Sequence, residues 1–184
     1  TNEHIQEVKS ATQLRFNELW RNNFLANHNQ IQKNLGIKVL KNKFKGVPGI
    51  VIGAGPSLDK NLRYLPRAKE KAIIIVSDAA LKPLLMHDII PAFVICLDPQ
   101  EDIAKFLTGV SSKGITLVAP SIVHPRVLDL WEGKVVFFHK YAPDIPILTE
   151  IQKRIPHIGA LTPGGSVLSV AYDLAVSYTH LTLP

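Results

Sequence analysis

Apolar residues in the C-terminal three-quarters of the chain come in short, unbroken, β-branched runs. The runs cover residues 50–52, 72–76, 93–97, 115–118 and 135–138. None alternates with period two, which predicts strands buried on both faces, as in a parallel sheet covered by helices. Between them, residues 58–65, 79–86, 103–107 and 124–131 each have room for two or three helical turns. Ser57 suits the cap of the first of these helices and Pro125 the first turn of the last. Strands alternating with helices predict an α/β fold: a Rossmann-like, doubly wound, mainly parallel sheet.

Both ends read differently. Residues 1–35 are helical by pattern, with Ile5, Val8, Leu14, Leu19, Phe24 and Leu25 at mixed helical spacing. The polar stretch 27–32 is expected to loosen that helix. Residues 1–45 thus form a helical segment and basic linker, ended by Gly46, Pro48 and Gly49. The domain proper runs over 46–176. Its last helix, 165–177, carries Val167, Val170, Ala171 and Leu174 at i, i+3, i+4 and i+7, with Ser166 near its start. Residues 177–184 bring no glycine cap and no further strand, and are read as a non-native tail. The opening Thr1, in place of Met, fits a piece of a longer protein.

Composition is globular: of 184 residues, 46% are apolar and 20% charged. A chain of this size buries about 70% of its unfolded surface and needs no metal or disulfide staple. The one cysteine, Cys96, lies in an apolar run and reads as a small buried side chain. It fits a reducing, cytoplasmic setting. No apolar run approaches the ~20 residues that span a bilayer, so no membrane partner is expected. The net charge of +6 invites a nucleic-acid reading. However, the densest basic run (Lys38, Lys41, Lys43, Lys45) lies in the linker without interleaved aromatics, so no nucleic-acid partner is expected.

The candidate chemistry lies at the predicted strand ends. Gly53-Ala54-Gly55-Pro56-Ser57-Leu58-Asp59 follows a buried strand and opens a helix. Gly53 and Gly55 permit positive φ and close ligand approach, and Pro56 fixes the turn. Free N–H groups at the helix start would favour a phosphate. The segment is neither G-x-G-x-x-G nor a Walker loop, and the alternative is a tight turn that binds nothing. Asp78 stands 25 residues after Gly53 at the end of the second run. There it would meet ribose hydroxyls or cap the following helix. Asp98 ends the third run and reads either as a metal-phosphate ligand, with Mg²⁺ the candidate ion, or as a turn residue. Thr162-Pro163-Gly164-Gly165-Ser166 is a second glycine-rich lead-in to a helix, with N–H groups and a hydroxyl for the same ligand. His124, His139 and His157 lie near strand ends without recognisable partners.

These residues together resemble the MptE-like domain. The resemblance rests on the 53–59 motif, Ser77-Asp-Ala-Ala-Leu-Lys-Pro-Leu-Leu85, Ile90-Pro-Ala-Phe-Val94, Leu97-Asp-Pro-Gln100 and Thr162-Pro-Gly-Gly-Ser-Val167. It spans residues 46–176. The family includes Maf motility-associated flagellin glycosyltransferases and archaeal 6-hydroxymethylpterin diphosphokinases, and is similar to bacterial sialyltransferases. The resemblance implies a CMP-sugar as donor substrate, flagellin as protein acceptor, and donor contacts at Ala54, Asp78, Asp98, Gly164, Gly165 and Ser166. Ala54 and Ala92 depart from residues that relatives carry. Family members continue beyond the last helix, so the distal part of the site, including a general base, is expected outside this chain. Two rival expectations remain: an ATP- and Mg²⁺-dependent diphosphokinase, and a non-catalytic module that binds NAD.

Overall fold

The computed structural model describes residues 2–178, with side chains over 13–176. In chain order the helices are α1 (Asn2–Lys33), α2 (Pro56–Asn61), α3 (Leu65–Ala68), α4 (Asp78–Leu85), α5 (Ala104–Leu107), α6 (Pro125–Leu130), α7 (Pro146–Arg154) and α8 (Val167–Asp173). The strands are β1 (Leu35–Gly36), β2 (Gly49–Ile52), β3 (Ile73–Ser77), β4 (Phe93–Ile95), β5 (Thr116–Pro120), β6 (Lys134–Lys140) and β7 (Ala160–Leu161). The sheet order is β1-β6-β5-β4-β3-β2, every pair is parallel, and β7 joins beside β6. The α/β fold and all five predicted runs are thus present. The tail expected at 177–184 starts within a π-helical turn, Leu174–Tyr178, and from residue 179 it lies outside the described residues.

Alternate residues of each strand enter opposite cores, which is why the sequence shows runs rather than alternation. Ile74, Val76, Val94, Cys96, Leu117, Ala119 and Phe137 face one core, with side chains of α1 to α7. Ile75, Phe93, Ile95, Val118, Val136 and Phe138 face the other, with Ile37, Leu40 and four residues from 170–175. From β2 to β6 the strands step across the sheet in one direction. Right-handed crossovers then put every connecting helix on the same face, and α8 crosses the opposite face above β2, β3 and β4.

Three elements were not among those expected from the sequence. Strands β1 and β7 have two residues each and share one edge of β6: Leu35 and Gly36 pair with Val136 and Phe137, then Ala160 and Leu161 with His139 and Lys140. Helix α7 buries Ile147, Leu148 and Ile151 and packs on α1.

Helix α1 departs from expectation by running unbroken to Lys33. Its buried stripe is Trp20, Asn23, Phe24, Asn27 and Ile31, an ordinary helical face with two amides in it. Those amides are used. Asn23 donates to the carbonyls of Pro99 and Ile122, at 2.8 and 2.9 Å. Asn27 donates to Val123 at 2.7 Å and Ser121 at 3.3 Å. The loops leaving β4 and β5 therefore have their buried carbonyls satisfied by α1. Asn23→Ala is expected to destabilise the fold by about 1–3 kcal/mol by orphaning two of them. Urea unfolding beside the exposed control Asn22→Ala checks this; equal midpoints would refute it.

Candidate functional site

Because the strands are parallel, every loop after a strand opens at one edge of the sheet. There a cleft of about 470 Å³ is lined by Asp78 at the start of α4 and by Asp98, Pro99 and Gln100 after β4. Lys140 at the end of β6, Gly165, Ser166 and Val167 before and into α8, and Phe16 and Trp20 of α1 complete its principal walls.

Asp78 is buried, and its Oδ1 accepts the Ala79 N–H at 2.7 Å. Burial lifts its carboxyl from the usual 3.8 to about 6, with a smaller upward push from the charge of Asp98. The Ala79 N–H and the Cys96 thiol act the other way. Cys96 is fully buried beneath it, its thiol pushed well above the ordinary range by burial and then by Asp78. It is the small buried residue expected, with a thiol that serves as a hydrogen-bond donor. Asp98 is half-buried, and its Oδ1 accepts the Gln100 N–H at 2.9 Å, which closes a turn. Among the described residues no group of three or more metal-ligating side chains exists. Two carboxylates fit Mg²⁺ held jointly with a phosphate, not a protein-only cage.

The glycine loops exchange the roles expected of them. Gly53 and Gly55 do not take positive φ; Gly55 is extended (φ −129°, ψ 165°) and is the residue before α2. Pro56 opens that helix and Ser57 lies inside it rather than capping it. Ala54, Pro56 and Ser57 are exposed, and none lines the cleft. At 53 the close neighbour is α8: an added Cβ would come within 2.8 Å of the tip of the exposed Leu168 side chain, which would have to swing aside. The left-handed glycines are Gly164 (φ 44°) and Gly165 (φ 86°). They turn the chain so that Gly165 and Ser166 reach the cleft. The Ser166 hydroxyl is already engaged, accepting the Ser169 N–H at 3.2 Å as the cap of α8.

Two of the three histidines near strand ends, His124 and His139, have structural partners that the sequence did not reveal, and the third, His157, is exposed. His139 is buried; its Nε2 donates to the Ile155 carbonyl at 2.6 Å, which leaves Nδ1 to accept from the Ser121 hydroxyl at 3.1 Å. Burial lowers its pKa. His124 Nδ1 accepts the Arg126 N–H and caps α6. The cleft residues missed in the sequence are Phe16, Trp20, Gln100 and Lys140. Lys140 alone had a readable signal: a cation two residues beyond a buried run, where a parallel strand meets its carboxyl edge.

Comparison with known proteins supplies the family. The description 6-hydroxymethylpterin diphosphokinase MptE-like matches residues 22–182. The chain belongs to the MptE-like family. The MptE-like chain is also similar to the Maf glycosyltransferase of Magnetospirillum magneticum AMB-1, with a TM-score of 0.59, 25% identity, and coverage of 81% of this chain and 26% of that one. An uncharacterized protein of Treponema pallidum (strain Nichols) is 26% identical over 137 residues, 74% of this chain and 24% of its own length. A second from the same organism is 30% identical over 90 residues, 49% of this chain and 42% of its own length. The chain thus spans less than half the length of these relatives. No described helix is long and apolar enough to cross a membrane.

The Asp78 carboxyl gives a pH-dependent prediction. Its folded value of about 6 lies above the usual 3.8, so its proton favours the folded state. That contribution is complete below the unfolded value and lost as pH rises through the folded one. Asp78→Asn keeps an acceptor for Ala79 and is expected to raise stability at pH 7 by about 1–3 kcal/mol, with no gain near pH 4. Denaturation at the two pH values measures the difference, and a gain unchanged by pH contradicts it.

Proposed function

We propose that the chain is the donor-binding part of a cytoplasmic Maf-type glycosyltransferase that moves a nonulosonic, sialic-acid-like sugar from a CMP-sugar donor to flagellin serine or threonine hydroxyls. The observation that carries this reading is the convergence of Asp78, Asp98, Gly165 and Ser166 on one cleft at the carboxyl edge of the sheet. The family and the likeness to a Maf glycosyltransferase support it. In this reading the carboxylates of Asp78 and Asp98 accept hydrogen bonds from ribose hydroxyls. Gly164, Gly165 and Ser166 face the sugar, and the phosphate end of the donor extends past the cleft walls towards the 53–57 loop. A diphosphokinase taking ATP with Mg²⁺ is the second reading. It is favoured by the family description and by the paired carboxylates, which would hold the ion with the triphosphate.

Titration calorimetry with CMP, ATP with Mg²⁺, and NAD separates these readings from a dinucleotide module. An added Cβ at Gly55 would have Ser57 Oγ, at 3.9 Å, as its nearest neighbour, so Gly55→Val probes ligand approach without a backbone clash. CMP is expected to bind, and Gly55→Val and Asp78→Ala to weaken it at least tenfold, about 1.4 kcal/mol or more. Circular dichroism should show unchanged folding. Binding of ATP alone, dependent on Mg²⁺, would replace this reading by the second, and binding of NAD alone by the third.

A further inference from the structure

Lys140 is a half-buried cation without a counter-ion. It ends β6 and lines the cleft, and its side chain takes part in no ion pair or hydrogen bond among the described residues, whose ion pairs are Arg126–Glu101 and Arg154–Glu150. Its Nζ stands 5.8 Å from the centroid of the Trp20 ring, another wall of the cleft. Burial lowers its pKa, and the charge of Asp98 partly restores it without reaching ion-pair distance. A charge withdrawn from water and left unpaired is unfavourable unless something completes it. The ring beneath contributes a little through its quadrupole, but it is not an anion.

The surroundings say what completes it. Asp78 and Asp98 line the same cleft, so acceptors for hydroxyls and a cation for an oxyanion share one cavity. The ammonium is a compact point charge with three donors, suited to a phosphate or carboxylate oxygen.

We propose that Lys140 is the anion-binding residue of the cleft, taking the phosphate or carboxylate oxygens of a ligand whose hydroxyls meet Asp78 and Asp98. The donor reading above supplies such a ligand, but the assignment does not depend on cytidine as its base. A ligand anion beside Lys140 leaves Asp98 on the hydroxyl side, so charge alone orients the molecule in the cleft.

The test is calorimetry on the wild-type chain, Lys140→Met and Lys140→Arg, with CMP, cytidine, N-acetylneuraminate, ATP and pyrophosphate as probes. Circular dichroism and melting confirm that the variants fold. Lys140→Met is expected to weaken the anionic probes about tenfold to a hundredfold, the worth of a charge-assisted hydrogen bond. Lys140→Arg should restore most of that, and cytidine, if it binds, should be indifferent to both. Loss confined to CMP, ATP and pyrophosphate identifies phosphate as the anion; loss confined to N-acetylneuraminate identifies carboxylate. Lys140-dependent binding of ATP or pyrophosphate without CMP sinks the CMP reading and keeps the Lys140 assignment. Anionic probes that bind both proteins equally overturn the assignment, as does a folded wild type that binds none of them. An equal loss for cytidine and CMP also overturns it, since it marks Lys140 as a packing residue.

Discussion

Parallel pairing governs this molecule. A strand that lies parallel to its predecessor forces the chain to travel back along the sheet before it can pair again. That return is repeated between β2 and β6, each time one place further across. The outcome is an asymmetric sandwich: α1 to α7 share one face, while the other is left to residues 37–40 and α8. The same polarity delivers Asp78, Asp98, Lys140 and Gly165 to one edge from separations of 20 to 87 residues along the chain. The local chemistry follows from where the strands stop.

The cleft is where the molecule departs from good packing practice. A carboxyl sits buried on a thiol, and a lysine lies over an indole with no anion in reach. The Trp20 Nε1 has no hydrogen-bond partner among the described residues. Elsewhere among the described residues the buried side-chain polar groups are matched, as with Asn23 and His139, each bonded twice, except for the Asn27 Oδ1. Such local exceptions to otherwise consistent design concentrate where a fold meets a ligand.

The strands were legible because both their faces are buried, which writes unbroken apolar runs into the sequence. Strands β1 and β7 were not, since two residues held by one edge of β6 carry no period at all. Helix α1 was legible but its continuity through 27–32 was not, because a polar side chain such as Asn27 on a buried stripe reads as surface until its carbonyl partners, more than 90 residues away, are known. In the site, Asp78, Asp98 and the 162–166 turn were visible as chemistry at strand ends. Trp20 and Phe16 were not, because only the fold brings α1 to that edge; Lys140 stood at a readable place, two residues past a buried run, but no partner for it was readable there. The glycines at 53 and 55 were read for backbone freedom, whereas neither takes positive φ and Gly53 instead lies close under the Leu168 side chain.

That neighbour ties the two glycine loops together. Leu168 sits two residues beyond Ser166 and fills the space that any side chain at 53 would need. The start of α8 and the loop after β2 therefore behave as meshed parts, with one tooth from α8 resting in the notch left by Gly53. Lengthening either loop moves the tooth out of its notch. A larger residue at 53 asks Leu168 to swing aside, so a change in one loop is felt first by the other.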